Sequence, residues 1–495
     1  MRKSVKKEIL FLLFFIVVFI VLRSVNFIYY LTFIGWDQPE HAILALDVFR
    51  KRELTLIGPP ISAFTFQGRQ IFIGPIMTYL MIFFLALGKW DPVMASYIFM
   101  VFCALMIVPL YYGVKWLVGK RAAWIMVIIY SLLPYYLNYT RFLWNPNFQF
   151  ALLPILVFFM GLYRKSKNSW FLFITALWSG VLLQLHYQFI ITIILITIYY
   201  FLVKKESFKK FFIYLGGLLI GFSPIFIFEL RHQFYFTKTL LLFFQHLNEL
   251  DIRGNRDHYY LSMSFVVLLG FLGLINNQLK KLNVKILNTF LLLLFAILFI
   301  FSAQITLIRP TTAFWSAVPN WNYPADYKVY KIIRSQNLVD FNVTNQTYDP
   351  VAMVQKYLLK RDNIKIDYYD YWHEKYLFII DKAGKKNFMD NPGYEIVTFR
   401  PFRLLKTWKI NDYYNMYLVE RLKGLDYTQR ETWTTEENIG QIASDLGYAL
   451  NDRFRNEFND FVKTMADDAK LTDFSFVVAR THFDQVVPPL EKANK

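Results

Sequence analysis

The residues best suited to chemistry form a short acidic stretch, Trp36-Asp37-Gln38-Pro39-Glu40-His41, directly after the first apolar segment. Asp37 and Glu40 are three residues apart, so on a helix their carboxylates share one face, and His41 follows at once. Such a group could act as a general base on a hydroxyl or an amine, or could bind a metal ion. The alternative is that Asp37 caps a helix running from Pro39 to Arg52. We predict that Asp37 and Glu40 are catalytic.

Further polar residues follow other apolar segments and could bind an anionic substrate. Arg141 could pair with a phosphate in bidentate fashion, while Asn145 could orient a sugar. The predicted substrate-binding residues are His41, Arg141, Asn145, His186, Glu229, Arg231, His232 and Arg256. The structural alternatives are a snorkelling Arg141 beside the interfacial Trp144, a polar turn at His186, and a salt bridge from Glu229 to Arg231 or Arg141.

Composition assigns the chain to the integral membrane proteins. Of its 495 residues 56% are hydrophobic and 18% are charged, and the apolar residues occur in long blocks. The net charge of +18 would suggest nucleic acid in a soluble chain. Here the basic residues lie mainly between apolar segments, where they set orientation and contact anionic lipids. We therefore expect membrane lipids as partners and no nucleic acid. Cys103 stands alone, so no internal disulfide can form.

The apolar blocks predict nine membrane-spanning helices. These are Ile9 to Thr32, Pro92 to Gly113, Ala122 to Tyr139, Phe148 to Tyr163, Ser169 to Leu185, Tyr187 to Val203, Phe211 to Phe228, Tyr259 to Ile275 and Ile286 to Thr306. The block Ile71 to Gly88 is long enough to span, but Gly74-Pro75 near its start equally allows a re-entrant or surface helix. The N-terminal run is too long for a signal peptide and predicts a retained span.

The basic loops predict the orientation. Lysines and arginines before the first span place the N-terminus in the cytoplasm, and the later basic clusters share that side only if Ile71 to Gly88 does not span. We therefore expect a multi-pass protein of the cell membrane with nine spans and one outer-leaflet helix. The polar loops that carry the candidate residues then face the extracytoplasmic side.

From Arg309 onward the apolar blocks end and a second kind of domain is expected. The chain is thus divided into a transmembrane domain, residues 1–308, and an extracytoplasmic α/β or α+β domain, residues 309–495. Strands are predicted at Leu338 to Val343, Lys375 to Asp381, Tyr394 to Phe399 and Met416 to Glu420, and helices at Pro350 to Leu359 and Glu436 to Lys470.

In layout, roughly Ile9 to Thr306 resembles the GT-C membrane glycosyltransferases, specifically the protein O-mannosyltransferase and aminoarabinose transferase-like superfamily. Four features carry the resemblance: the acidic stretch at Asp37, the helix Ile71 to Gly88 before a second span, the turn Lys115 to Arg121 with its small-residue restart at Ala122-Ala123, and the Tyr139-Thr140-Arg141 exit of the third span. The sequence departs from the family after Arg141, because no acid occurs up to Asn147. That departure weakens the metal alternative.

The resemblance implies an enzyme that moves a sugar from a polyprenyl phosphate or pyrophosphate to a lipid, glycan or protein on the outer face, with inversion. Asp37 would be the general base, Glu40 and His41 would orient it or tune its pKa, and Arg141, Arg231 or Arg256 would hold the departing phosphate. Trp36, Phe64, Phe66 and Trp144 could stack on sugar or isoprenoid. The C-terminal domain would cover the cavity and select the acceptor.

Two other classes of protein fit parts of the sequence. A transporter or flippase for lipid-linked sugars would have polar residues at mid-span, but hardly any ionisable residue lies at depth and no internal duplication is present. A non-catalytic membrane receptor or assembly subunit would leave Asp37 and Glu40 dispensable.

Overall fold

A computed structural model of the chain describes most of its residues. These are 2–33, 37–66, 69–245, 257–314, 316, 318–347, 349–366, 371, 374–384, 394–397, 399, 402–422, 439–440, 443 and 448–467. The chain divides into two compact units, residues 1–63 with 71–324 and residues 64–70 with 325–495. The assignment of 1–308 to a membrane domain and of 309–495 to an extracytoplasmic domain stays a prediction.

The described part of the first unit is mainly helical and also contains both ends of a β-hairpin, whose residues 64–70 belong to the second unit. The helices of the first unit are α1 (Arg2–Ser24), α2 (Phe27–Tyr30), α3 (Asp37–Lys51), α4 (Ile76–Leu87), α5 (Pro92–Leu105), α6 (Ile107–Leu117), α7 (Lys120–Leu132), α8 (Pro134–Tyr139), α9 (Asn145–Ser166), α10 (Ser169–Leu185), α11 (Ile190–Thr197), α12 (Phe208–Gly221), α13 (Ser223–Arg231), α14 (Tyr235–Gln245), α15 (Tyr259–Leu274), α16 (Asn276–Lys281) and α17 (Val284–Leu307). A 3₁₀ turn, Tyr187–Phe189, precedes α11, and a π-helical turn, Ile198–Val203, follows it. The hairpin pairs β1 (Pro60–Phe66) with β2 (Arg69–Phe72).

Three helical stretches in the described part of the chain are long and apolar enough to cross a membrane. They are Pro92–Leu117, which joins α5 and α6, then Asn145–Ser166 and Val284–Leu307; a fourth is α12 with α13 if that pair, bent by 65°, forms one span. The other apolar helices are shorter. The structure therefore supports a multi-pass membrane protein, while the number of nine spans stays a prediction.

Several predicted spans are interrupted for identifiable local reasons. The first is not continuous to Thr32, because α1 ends at Ser24 and Asn26 adopts a left-handed backbone with φ of 53°. The third divides at Leu133, since Pro134 cannot continue the hydrogen-bond ladder of α7 and instead starts α8. The α12 to α13 bend likewise lies just before Pro224.

The apolar block from Ile71 to Gly88 contains only one short helix. Its first residues belong to β2, and α4 covers 12 residues. A helix of that length rises about 18 Å, well short of the roughly 30 Å hydrocarbon core. This length suits the predicted surface helix better than a span.

Glycines allow close helix crossings in the first unit. A Cβ on Gly180 of α10 would lie 2.6 Å from the carbonyl oxygen of Leu218 on α12, and one on Gly113 of α6 would lie 2.6 Å from the amide nitrogen of Phe158 on α9. Small residues let two backbones approach, which is the main source of helix association where lipid replaces water. These crossings fix α10 against α12 and α6 against α9.

Two adjacent glycines of α12 should respond in opposite ways to alanine. A methyl group on Gly217 would clash with the carbonyl oxygen of Phe173, whereas one on Gly216 would meet nothing within 4 Å. We expect Gly217→Ala to lower the free energy of unfolding by about 1–3 kcal/mol and Gly216→Ala to raise it by up to about 1 kcal/mol. Thermal unfolding of both variants in the same detergent checks this; equal shifts would contradict the crossing of α10 and α12.

The described part of the second unit contains a four-stranded mixed sheet. The strands are β3 (Phe341–Asn345), β4 (Tyr376–Lys382), β5 (Phe402–Lys409) and β6 (Tyr414–Arg421), in the order β3-β4-β6-β5. β3 and β4 are parallel and are joined through α19 (Met353–Arg361), while the other pairs are antiparallel. The remaining helices are α18 (Tyr323–Ser335), which begins in the first unit, α20 (Tyr394–Val397) and α21 (Asp452–Asp467).

The sequence analysis did not predict one strand of this sheet, and its predictions for two other segments were wrong. Tyr394 to Phe399 was expected to be a strand, but its described residues begin with the helix α20. β5 was not predicted because it is an edge strand with mostly exposed side chains, which hides its apolar signal. The predicted helix from Glu436 to Lys470 is not continuous: residues 448–451 are not helical, α21 starts at Asp452, and much of the rest lies outside the described residues.

Candidate active site

The acidic stretch begins a helix, as the sequence predicted. α3 starts at Asp37, and Asp37 and Glu40 are both half-buried in its first turn. Among the described residues no donor hydrogen bonds to the Asp37 carboxylate, so Asp37 is not used as a cap. An unengaged carboxylate at this position is available to accept a proton. Trp36 and the side chains of Phe64 and Phe66 lie outside the described part.

His41 lies one turn after Asp37 and is a neutral imidazole. It is buried, and its Nδ1 has no hydrogen-bond partner. Burial lowers the pKa of His41 to about 4, and the nearby negative charge of Asp37 opposes the shift without reversing it. At neutral pH His41 is therefore suited to hydrogen bonding rather than to binding phosphate as a cation.

The buried His41 should make the protein less stable in mild acid. Because its pKa is lower in the folded state, His41 contributes stability above pH 6.5 that is lost as pH falls towards 4. Between pH 7 and pH 5 this loss amounts to about 2 kcal/mol. We expect His41→Gln to remove this loss. The melting temperature of the variant should therefore fall less between pH 7 and pH 5 than that of the wild type. The exposed His232 supplies the control, and a His232→Gln variant with the same effect would contradict the assignment.

Arg141 is fully buried rather than snorkelling to the interface. Its Nη2 donates to the carbonyl oxygen of Leu22 at 3.1 Å and its Nη1 to the side-chain oxygen of Asn138 at 3.4 Å. The guanidinium lies 4.2 Å from the ring centroid of Tyr30, and its Nε has no acceptor. Burial lowers the pKa of Arg141 to about 9, so the side chain stays charged at neutral pH.

A second arginine, Arg23 of α1, lies beside Arg141 and was overlooked in the sequence. It is fully buried; Nε donates to Thr140 Oγ1 at 2.6 Å and Nη1 to the carbonyl oxygen of Ser131 at 2.9 Å, while Nη2 has no acceptor. Its guanidinium lies 3.4 Å from the ring centroid of Phe19. Arg23 is thus an ionisable residue inside the predicted span Ile9 to Thr32, where the sequence analysis expected hardly any. An arginine within an apolar block was the available signal.

The two arginines form a cationic pair that no acidic side chain in the described part of the chain neutralises. Neither makes a salt bridge to a carboxylate among the described residues, although their positive charges repel each other. Two buried charges of the same sign are costly unless an anion joins them. Tyr30, whose ring covers Arg141, precedes Asp37 by seven residues in sequence.

Asn145 and His186 are brought together by the ends of α9 and α10. Asn145 Nδ2 donates to the carbonyl oxygen of Leu185 at 3.1 Å, and Gln149 Nε2 donates to that of His186 at 3.0 Å. The His186 Nδ1 is buried without a partner, and burial lowers the pKa of His186 to about 3, with a further contribution from His258. Like His41, His186 is neutral and able to hydrogen bond.

Aromatic rings surround His186. Its ring centroid is 6.0 Å from that of His258 and 5.1 Å from that of Tyr259, and His258 lies 4.7 Å from Trp144. Trp144 before α9, the turn at His186 and the start of α15 thus meet at one place. Such a cluster offers ring faces on which a sugar could stack.

Glu229, Arg231 and His232 at the end of α13 do not converge on one site as a substrate-binding group would. Glu229 is buried, and its carboxylate accepts hydrogen bonds from the backbone amides of Phe236 at 2.6 Å and Thr237 at 2.9 Å. It therefore stabilises the start of α14 and forms neither of the salt bridges considered from the sequence. Arg231 and His232 are exposed, with His232 stacked on Phe228 at 4.2 Å between ring centroids. Arg256 lies outside the described residues.

The described residues offer no ligand set for a metal ion. Within them, no three side chains from histidine, cysteine, aspartate and glutamate converge on a point where they could share one. Asp37, Glu40 and His41 share a helix turn but do not form such a group.

Comparison with known proteins agrees with this architecture. Residues 73–228 match the model of the dolichyl-phosphate-mannose-protein mannosyltransferase family. The structure of ArnT from Cupriavidus metallidurans bound to undecaprenyl phosphate has a TM-score of 0.51 and 10% identity, and covers 84% of this chain and 98% of its own. The apo structure of the same protein gives the same score and identity, with coverages of 85% and 98%. No protein of curated function matches the chain in sequence.

These findings show the fold of the chain. It shares the GT-C membrane-protein fold of ArnT, and the match of residues 73–228 to the mannosyltransferase family agrees with the resemblance drawn from the sequence. The matched segment contains Arg141, Asn145 and His186 but not Asp37 or Arg23, so the roles of the latter two rest on this chain's own geometry.

Proposed function

We propose that the chain is a membrane glycosyltransferase that takes a sugar from a polyprenyl-phosphate donor and attaches it to an acceptor on the extracytoplasmic face of the cell membrane. The fold it shares with ArnT, which was solved with undecaprenyl phosphate, supports this class of donor. The observation that carries the proposal is the pair of fully buried arginines, Arg23 and Arg141, which no carboxylate among the described residues neutralises. A lipid-linked phosphate has the negative charge that the pair would bind.

Asp37 is the general base of the proposed reaction. It removes the proton of the acceptor hydroxyl while the hydroxyl oxygen attacks C1 of the sugar and the bond from C1 to the phosphate oxygen breaks. Attack from the face opposite the phosphate inverts the anomeric centre. Polyprenyl phosphate leaves as an anion, and its extra negative charge is stabilised by Arg141. The half-buried, unengaged carboxylate of Asp37 suits this role.

Neutral side chains orient the reacting groups in this scheme. His41, one helical turn from Asp37, offers an imidazole that can hydrogen bond to the acceptor or to Asp37, and Glu40 keeps the local potential negative. His186, beside the rings of His258 and Tyr259, and Asn145 contact sugar hydroxyls in this proposal. The exposed Arg231 remains a second candidate for a phosphate contact at the membrane surface.

The test is the release of free polyprenyl phosphate from a panel of labelled polyprenyl-phosphate sugars. Purified full-length protein is incubated with each donor and with membrane extracts that supply acceptors. We expect one donor, or a closely related set, to be consumed with stoichiometric transfer of label to an acceptor. Binding of donors without consumption of any would contradict the transferase and favour a transporter of lipid-linked sugars, which vesicle translocation assays would then reveal.

A further inference from the structure

A second polar site lies at the opposite ends of the helices from His186. α9 ends at Ser166 and the π-helical turn ends at Val203, and between them is a cavity of about 250 Å³. Its lining includes Tyr163, Arg164, Lys167, Tyr200, Lys204 and Glu206. The cavity is smaller than the 300 to 1,000 Å³ typical of sites for drug-sized ligands, so a compact group fits it better.

The cavity has an excess of positive charge. Glu206 is its carboxylate, and it is already paired with Lys210 at 2.7 Å and Lys167 at 3.4 Å. Arg164 instead donates to the hydroxyl of Tyr199 at 3.1 Å, and the ammonium of Lys204 lies 5.6 Å from the ring centroid of Tyr199. Two cations thus remain that no carboxylate among the described residues neutralises.

Buried hydroxyl groups also line the cavity. Tyr200 is 2% exposed, and its hydroxyl oxygen has no hydrogen-bond partner within the described chain, whereas the hydroxyl of Tyr163 lies beside Glu206 and Lys210. Their rings meet edge to face with centroids 5.3 Å apart. A buried hydroxyl without a partner is costly, so the Tyr200 hydroxyl is suited to donate a hydrogen bond to a bound acceptor.

The backbone is deformed where these groups converge. In the π-helical turn the amide of Lys204 donates to the carbonyl oxygen of Tyr199 at 2.9 Å, and that of Glu206 donates to Tyr200 at 3.1 Å. The deformation places Tyr200 and Lys204 on one cavity. Insertions of this kind occur frequently at functional sites.

We propose that this cavity binds the phosphate of an anionic phospholipid headgroup. Arg164 and Lys204 supply the charge, and the Tyr200 hydroxyl donates a hydrogen bond to a phosphate oxygen. Next to the cavity, the apolar side chains of Leu202, Val203 and Phe208 are 69%, 63% and 74% exposed, which provides a surface for acyl chains. In the predicted orientation these basic loops face the cytoplasm, where anionic lipids concentrate. The site is independent of the proposed transfer reaction.

The test uses delipidated full-length protein in neutral detergent, titrated with phosphatidylglycerol, phosphatidylcholine or inorganic phosphate while its melting temperature and bound lipid are measured. Phosphatidylglycerol should bind and stabilise, and the other two should do so weakly. Tyr200→Phe should weaken the affinity for phosphatidylglycerol about tenfold and Lys204→Gln about fivefold. Tyr200→Phe removes only an unpartnered hydroxyl, so folding should be unaffected.

Matched controls are the exposed Tyr260 and Lys281, changed to phenylalanine and glutamine, which should leave the affinity within twofold of the wild type. Equal binding of phosphatidylcholine, or unchanged affinity in both Tyr200→Phe and Lys204→Gln, would overturn the proposal. Binding of inorganic phosphate as tight as that of phosphatidylglycerol would overturn its lipid part.

Discussion

Asp37→Asn should lower the turnover number of sugar transfer by about a thousandfold, within the range that general-base catalysis contributes. Asparagine has the size of aspartate but cannot accept the acceptor's proton, while the buried arginines that would hold the donor phosphate are unchanged. The affinity for the donor should therefore stay within about twofold of the wild type. Transfer is measured by release of polyprenyl phosphate, and donor binding by thermal stabilisation of the same preparation.

The matched control is Glu53→Gln, which removes another carboxylate shortly after the same helix. Glu53 is exposed and has no role in the proposed reaction, so transfer should be unaffected. If Asp37→Asn retained wild-type turnover, Asp37 would not be the base, and a non-catalytic membrane subunit would become the better description. If both variants lost activity alike, the effect would be one of overall charge.

Arg141→Met should change stability and donor affinity in opposite directions. Without donor, loss of a buried charge that no carboxylate pairs with should raise the melting temperature, since apolar replacement of buried charges is often neutral or stabilising by about 1–4 kcal/mol. With donor, the missing charge-assisted hydrogen bonds should weaken binding by about ten- to a hundredfold. Melting curves of the wild type and the variant, with and without donor lipid, measure both quantities.

Arg23→Met and Arg231→Met separate the buried pair from the surface. Arg23 lies beside Arg141 and should behave like it, whereas Arg231 is exposed and its loss should leave the melting temperature unchanged. A large loss of donor affinity in Arg231→Met alone would move the phosphate contact to the end of α13. A fall in the melting temperature of donor-free Arg141→Met would show that Arg141 is structural.

Many residues of the candidate site could be recognised from the sequence. Asp37, Glu40 and His41 are adjacent and begin a helix, so helical periodicity was enough to place them on one turn. Arg141 and His186 follow apolar blocks, and the ends of such blocks meet at a common level when helices alternate in direction. For this reason the sequence also predicted that polar residues far apart in the chain would lie on the same side of the membrane.

The state of these groups could not be predicted, because it depends on what packs around them. Arg141 looked like a snorkelling side chain, yet α1 and α2 cover it with Leu22 and Tyr30, and Arg23 comes to lie beside it. Glu229 was predicted to bind substrate, but two backbone amides at the start of α14 donate hydrogen bonds to its carboxylate. Such contacts join residues that are distant in the chain or separated by turns.

The sequence by itself determined the membrane class, the apolar segments and the acidic start of α3, because composition and short-range periodicity encode them. Only the tertiary structure decided that Arg23 and Arg141 are neighbours, that His41 and His186 are neutral, and that Tyr200 and Lys204 share one cavity. Burial and charge neighbourhood are properties of the packed chain. They shift protonation and leave groups without partners in ways that no local pattern records.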